Sequence, residues 1–266
     1  MQGEIAISLT FGLDPLATWV CDSCMSVSDI IKATIKLRSR LRDLQFPSPA
    51  DYIYSPLDYA WESHEAYLTR YGALGPKRVL FLGMNPGPFG MAQTGIPFGE
   101  IESVRHWMGL ERPVGRPARE HPGKKVTGFA CTRSEVSGRR LWGLFQDRFG
   151  SAENFFKDHW VHNYNPLLFI ENTKIGRNVV PEELPAESIR AVNEACDEYL
   201  RVLVDEMKIK IVVGVGGYAE TRAREALKGY PIQFAKVLHP SPASPIANRG
   251  WAEAATRELI LQGVWQ

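Results

Sequence analysis

"GMNPGPFGMAQTGIPFGE", residues 83–100, is the stretch on which the reading of this chain turns. It follows the apolar run "RVLFL" (78–82) and packs five glycines, three prolines and two phenylalanines into eighteen residues. A short apolar run bounded by Pro76 and Gly83 has the length and flanks of a fully buried strand. A strand that exits into so much turn chemistry is building a walled loop rather than a simple connection to the next element.

Outward from this strand the pattern alternates. Upstream, "MSVSDIIKATIKLRSRLRDLQF" (25–46) predicts an amphipathic helix capped by Ser28-Asp29, and "LDYAWESHEAYLTRYG" (57–72) predicts a second helix. Downstream come a short helix at "IESVRHWMGL" and a Pro-, Gly- and charge-rich surface insertion over 111–135. A helix at "GRRLWGLFQDRFG" and a strand within "DHWVHNYNPLLFI" follow. Next is the long helix "PAESIRAVNEACDEYLRVLVDEM", then the strand "KIKIVVGVG", the helix "YAETRAREALKG", the strand "IQFAKVLHP" and a last helix near Trp251. Strands separated by helices predict parallel βαβ units. The expected fold is α/β, a three-layer αβα sandwich around a four-stranded parallel sheet. Residues 25–266 form one domain in this reading, and residues 1–24, which lack periodicity, form a dispensable extension.

Composition excludes some functions. The 266 residues are 44% hydrophobic and carry a net charge of +1, so no global field attracts nucleic acid and any such surface is local. Candidate patches are "KLRSRLR" (36–42), Arg133 with Arg139 and Arg140, and Arg222 with Arg224. No apolar run approaches the ~18 residues of a membrane span, and no secretory start is recognisable. The expectations are no membrane association and a cytoplasmic location, with the nucleoid or nucleus as the place of work. Cys21-x-x-Cys24 could be half of a metal site, but no histidine lies near it. His159 and His162 fall on opposite faces of one strand. No metal and no cofactor are expected. His64, His106 and His121 are expected on the surface.

In open parallel sheets ligands bind beyond the carboxyl ends of the strands. There stand "GMNPG" (83–87), "HNYNP" (162–166), "GVGGYA" (214–219) and "HPSPASPIANRGW" (239–251). Three of the four carry an Asn or His followed by Pro, which halts the strand and fixes the backbone beside a polar side chain. "GVGGYA" also matches G-x-G-x-x-A and could bind a dinucleotide. Against that, the next strand ends in Leu238-His239 rather than an acid, and a tight strand-to-helix turn explains the glycines equally well.

These motifs, with "YSPLDYAWE" (54–62) and "SEVSGRRLWG" (134–143), resemble the single-strand-selective monofunctional uracil-DNA glycosylases, a branch of the uracil-DNA glycosylase superfamily. The resemblance runs from about residue 25 to Trp251. It implies DNA as partner, single- and double-stranded, a monomeric enzyme, and cofactor-free removal of uracil from a nucleotide turned out of the helix. It also implies roles. Asn85 would position the attacking water and His239 would stabilise the departing base. Phe98 would stack on the base, Asn163 would read its Watson–Crick edge, and Met84 and Gly87 would complete the pocket. Better-known relatives carry Tyr where Gly87 stands and Asp where Asn85 stands. A glycine leaves room beside C5, which suits 5-hydroxymethyluracil and other oxidised uracils. An amide cannot act as a general base. Ser241, Pro242, Ala243, Ser244 and Arg249 would hold DNA, with Ala243 where family members often have a basic residue. The "GMNPG" loop also resembles superfamily members acting on xanthine or hypoxanthine, and a catalytically silent damaged-DNA binder is a further alternative.

Overall fold

The computed structural model describes residues 26–266. The proposed extension, with Cys21 and Cys24, lies outside the described residues. The first elements are α1 (Val27–Arg42), β1 (Tyr52–Tyr54), α2 (Pro56–Tyr59) and α3 (Trp61–Gly72). The buried strand beneath the opening loop is β2 (Val79–Gly83), and the loop contains one helical turn, α4 (Met91–Thr94). There follow α5 (Val136–Phe149), α6 (Ala152–Phe156), β3 (His159–Asn163), β4 (Leu168–Ile170) and β5 (Asn178–Val179). The chain closes with α7 (Ala186–Met207), β6 (Ile211–Val215), α8 (Gly217–Ala226), β7 (Gln233–Val237) and α9 (Trp251–Leu261).

The four strands expected from their apolar runs form one parallel sheet in the order β3-β2-β6-β7. β2, β3 and β6 are buried at every residue; β2 and β6 accordingly read as continuous apolar runs, whereas β3 carries His159, His162 and Asn163 into the interior. From β2 the chain crosses through α5 and α6 to β3. From β3 it returns through α7 to β6, and from β6 it passes through α8 to β7. Right-handed crossovers in opposite directions put α5 and α6 on one face and α7 and α8 on the other. α9 joins α5, and α1 packs on α7. The architecture is the three-layer αβα sandwich. Its topological switch lies between β2 and β6, and the carboxyl ends there converge on one crevice.

Local details differ from expectation. Helix α1 is capped by Ser26, whose side chain accepts from the Asp29 N–H at 3.2 Å, two residues before the expected cap. The helix foreseen over 57–72 breaks at Ala60, where φ is −118° and ψ is 30°. The short helix at 101–110 contains a π turn over Ser103–Trp107. A second sheet, antiparallel β1-β4-β5, was not foreseen because its strands are only two or three residues long. Two histidines expected on the surface are inside. His64 is fully buried on α3 and donates from Nδ1 to the Gly95 carbonyl at 2.8 Å, and buried His121 bonds the Thr173 carbonyl at 2.7 Å. His106 is exposed.

Candidate active site at the sheet edge

The loop after β2 is held rather than draped. The β2–β3 ladder continues past the strands, with the Tyr164 N–H on the Gly83 carbonyl and the Asn165 N–H on the Met84 carbonyl, both at 2.9 Å. Gln93, wholly buried, donates to the Pro88 and Lys125 carbonyls and accepts from the Thr127 N–H. Gly95 turns at φ 76°, a conformation that suits glycine, with the Ala60 carbonyl close behind it. Phe98 sits at φ 53°, uncommon for an aromatic residue. Its carbonyl accepts from the buried Trp142 indole N–H at 3.0 Å and the Glu100 N–H at 2.6 Å, which hold it there. Strain so fixed by its surroundings is characteristic of functional positions.

A cavity of about 340 Å³ opens at this edge. It brings together Met84, Asn85, Gly87, Phe98, Asn163, His239, Ser241 and Pro242 from three separate stretches of sequence. Ala243, Ser244 and Arg249 do not line it and lie farther along the 239–251 loop. The Ser241 and Ser244 hydroxyl oxygens accept from the Ala243 and Ala247 N–H groups, so their protons remain available to a ligand.

Asn163 is nearly fully buried; its amide nitrogen contacts Met91 Sδ at 3.3 Å, and its Oδ1 has no hydrogen-bond partner. A buried acceptor left unpaired costs stability unless something arrives to satisfy it. Gly83 permits this arrangement. A Cβ there would strike Asn163 Oδ1 and come within 2.6 Å of the Phe98 ring. The rings of Phe98 and His239 stand 6.1 Å apart at 38°. Burial pushes the His239 pKa down to about 4, so its imidazole is neutral near pH 7. Gly216 of the "GVGGYA" turn packs against the His239 side chain, where an added Cβ would lie 3.2 Å from its Cβ. Gly216 therefore backs the His239 side chain, while Gly214 packs on Glu220. Asn85 donates to the Pro86 carbonyl at 3.3 Å, leaving its side-chain oxygen free.

Besides Pro86 and Pro88 of the first loop, three residues outside the expected set line the cavity: Glu135, Ser137 and Asn178. Glu135 ends the stretch read as a surface insertion, yet its carboxylate turns inward. A Cβ on Gly87 would fall 2.9 Å from Glu135 Cδ, so the direction a larger side chain would take is already filled. The space expected beside Gly87 is in that direction a wall. Burial raises the Glu135 pKa, partly countered by the Phe89 and Ser137 backbone N–H groups. Glu135 and Ser137 stand inside "SEVSGRRLWG", so that motif carried a signal. Asn178, whose buried Oδ1 is also unpaired, lies on a two-residue strand with no such signal.

The candidate basic patches separate by geometry. Lys36 and Arg40 pair with Glu198, and Arg38 and Arg42 pair with Asp58, which makes α1 a solvated helix face. Arg222 is mostly buried against Asp197 and Tyr164, and Arg224 pairs with Glu220. Arg140 donates to the Pro240 carbonyl at 3.0 Å and Asn248 Oδ1 at 2.8 Å, tying α5 to the 239–251 loop. Among the described residues no cluster of His, Cys, Asp or Glu could hold a metal ion, and no helix is long and apolar enough to cross a membrane.

Comparison with known proteins decides the family. Residues 69–260 match the Uracil DNA glycosylase superfamily. The chain is 51% identical over 232 residues to the single-strand selective monofunctional uracil DNA glycosylase of Mus musculus, covering 86% of this chain and 82% of that one. It is 46% identical over 262 residues to the Rattus norvegicus protein of the same description, covering 96% and 93%. The chain belongs to this family. It is accordingly a DNA-repair glycosylase, a hydrolase of N-glycosidic bonds, with DNA as its partner. The crystal structure of wild-type Pedobacter heparinus SMUG2 superposes with a TM-score of 0.61 at 19% identity, covering 87% of this chain and 97% of that one, which shows a shared fold.

Proposed function

We propose that this glycosylase hydrolyses the N-glycosidic bond of uracil and of C5-oxidised uracils such as 5-hydroxymethyluracil, in single- and double-stranded DNA, and leaves an abasic site without strand scission. The observation that carries the reading is the orphaned Asn163 Oδ1 in a cavity closed by the Phe98 ring. Uracil offers a matching edge: N3–H donates to the Asn163 carbonyl, and O4 accepts from the amide nitrogen. Cytosine lacks the N3 proton and donates at position 4, so it would leave both groups mispaired in a buried site. The nucleotide must leave the stack to enter, and Phe98 recovers part of that cost by stacking.

As the bond to the base breaks, negative charge grows on the uracil and the sugar gains oxocarbenium character. Neutral His239 donates a hydrogen bond toward O2 and stabilises the departing anion. Asn85 accepts a hydrogen bond from the attacking water and aims it at the sugar carbon, but it cannot remove a proton. Leaving-group stabilisation therefore does most of the work. Among the described residues no lysine lines the cavity, which supports a hydrolytic step without the amine nucleophile that strand cleavage would require. Discrimination against thymine belongs to the Gly87–Glu135 wall: a hydroxylated C5 substituent can hydrogen-bond there, whereas a methyl cannot.

A single-turnover excision assay tests this reading. Matched single- and double-stranded oligonucleotides carrying uracil are incubated with enzyme and then cleaved with alkali. Breaks that appear only after alkali are expected on both. Breaks without alkali would remove the monofunctional reading. No abasic sites on either substrate would shift the assignment to xanthine and hypoxanthine, or to a silent binder of damaged DNA.

A further inference from the structure

Beside the cavity, Phe89 is partly exposed between two cations that the chemistry described so far does not use. The Arg133 guanidinium lies 3.8 Å from the Phe89 ring centroid, and the Lys124 ammonium lies 4.8 Å from it. Phe89 directly follows Pro88, which lines the cavity, so both cations stand at its lip. We propose that Lys124 and Arg133 form a phosphate clamp that grips the DNA backbone next to the nucleotide in the pocket. The proposal rests on the DNA-glycosylase reading and adds a backbone-binding site to it.

Three observations support the clamp. First, neither cation makes an ion pair among the described residues. Glu120, the acid of the same stretch, pairs with Lys125 and Arg116 instead. Burial and, to a smaller degree, the like charge of Arg133 lower the Lys124 pKa. An arriving phosphate would relieve that repulsion. Second, the mount is rigid. The Lys124 carbonyl accepts from Tyr54 Oη at 2.8 Å, and Gln93 bonds both the Pro88 carbonyl and the Lys125 carbonyl. The cations are thus fixed to the same framework as the pocket wall, and stacking on Phe89 holds the Arg133 plane ready for a bidentate contact. Third, the segment "SPASPIA" (241–247), which supplies Ser241 and Pro242 to the cavity, contains no cation, and Arg140, the cation beside Pro240, is engaged by the Pro240 carbonyl and Asn248. Lys124 and Arg133 therefore add charge to a mouth whose 241–247 segment offers only hydroxyl and backbone donors.

The test is the salt dependence of binding, read by anisotropy with a labelled oligonucleotide carrying a tetrahydrofuran abasic analogue, single-stranded and in duplex. Between about 50 and 200 mM salt, Arg133→Gln is expected to lower the slope of log Kd against log salt by about 0.7 on single strand or about 0.9 on duplex. Lys124→Gln should do the same, Arg133→Lys should restore most of the slope, and Lys32→Gln, an α1 lysine paired with Asp29, should leave it unchanged. A fall on one DNA form alone assigns the clamp to that form. Unchanged slopes in both Arg133→Gln and Lys124→Gln, an equal fall in Lys32→Gln, or no binding to either DNA would overturn the clamp. Wild-type uracil excision is measured alongside; its absence would remove the proposed activity, while the slopes still decide the clamp.

Discussion

At the scale of single residues, the cavity is a set of groups kept short of partners. Asn163 Oδ1 is buried and unpaired, and the His239 imidazole is held neutral by burial. Both conditions are costly in a folded protein and useful in a site that must read and release a base. Asn85→Ala and His239→Leu are each expected to slow single-turnover excision by at least about 100-fold, since each removes a contact made in the transition state. Near-normal rates in both would reject these roles. Asn163→Asp replaces the donor that faces O4 with a carboxylate, and uracil excision should fall by at least about 100-fold. Comparing unfolding midpoints of the two proteins separates lost recognition from lost fold. The motifs named residues that the fold brings to one cavity, but not that Asn163 keeps an orphaned oxygen. That property depends on what Gly83, Met91 and Phe98 leave around it.

Elements place these residues, and two contacts between elements matter most. Gly87, on the loop after β2, abuts the carboxylate of Glu135, the residue just before α5. Gly87→Ala is expected to push that carboxylate, the far end of a flexible side chain, off the Phe89 and Ser137 N–H groups and to destabilise the protein by about 0.5–1.5 kcal/mol. In Glu135→Ala the same change should be better tolerated, giving a coupling of about 0.5–1.5 kcal/mol in denaturant melts. Additive effects would show that the contact is not tight. Arg140 of α5 bridges to the Pro240 carbonyl and Asn248, on the loop that aims His239. Arg140→Ala should slow excision by between about 10- and 100-fold through misplacement of that loop. An unchanged single-turnover rate would show that the loop holds itself. Both contacts join segments about fifty or a hundred residues apart, so neither could be read from local pattern.

For the whole molecule, acid is the revealing variable. Burial pushes the pKa of His64 and His159 down to about 4 and that of His162 to about 3, against 6.5 for an unstrained histidine. Below pH 6.5 the unfolded chain takes up protons that the folded chain refuses. Stability should therefore be greatest above that pH and fall as pH drops toward 4, at about 1.4 kcal/mol per histidine per pH unit. Melting curves between pH 8 and pH 4.5 check this; a midpoint constant across that window would mean that the histidines charge within the fold. By itself the sequence determined the parallel four-stranded sheet, because the central strands β2 and β6, buried on both faces, are continuously apolar and the stretches between successive strands are helical. It also determined which loops meet at the site, because in such a sheet the carboxyl ends of the strands share one edge. Only tertiary structure decided that His64 and His121 are interior, that Glu135 walls the pocket and that Arg140 holds the last loop. Those outcomes depend on which side chains face one another across distant segments, and neither composition nor spacing records that.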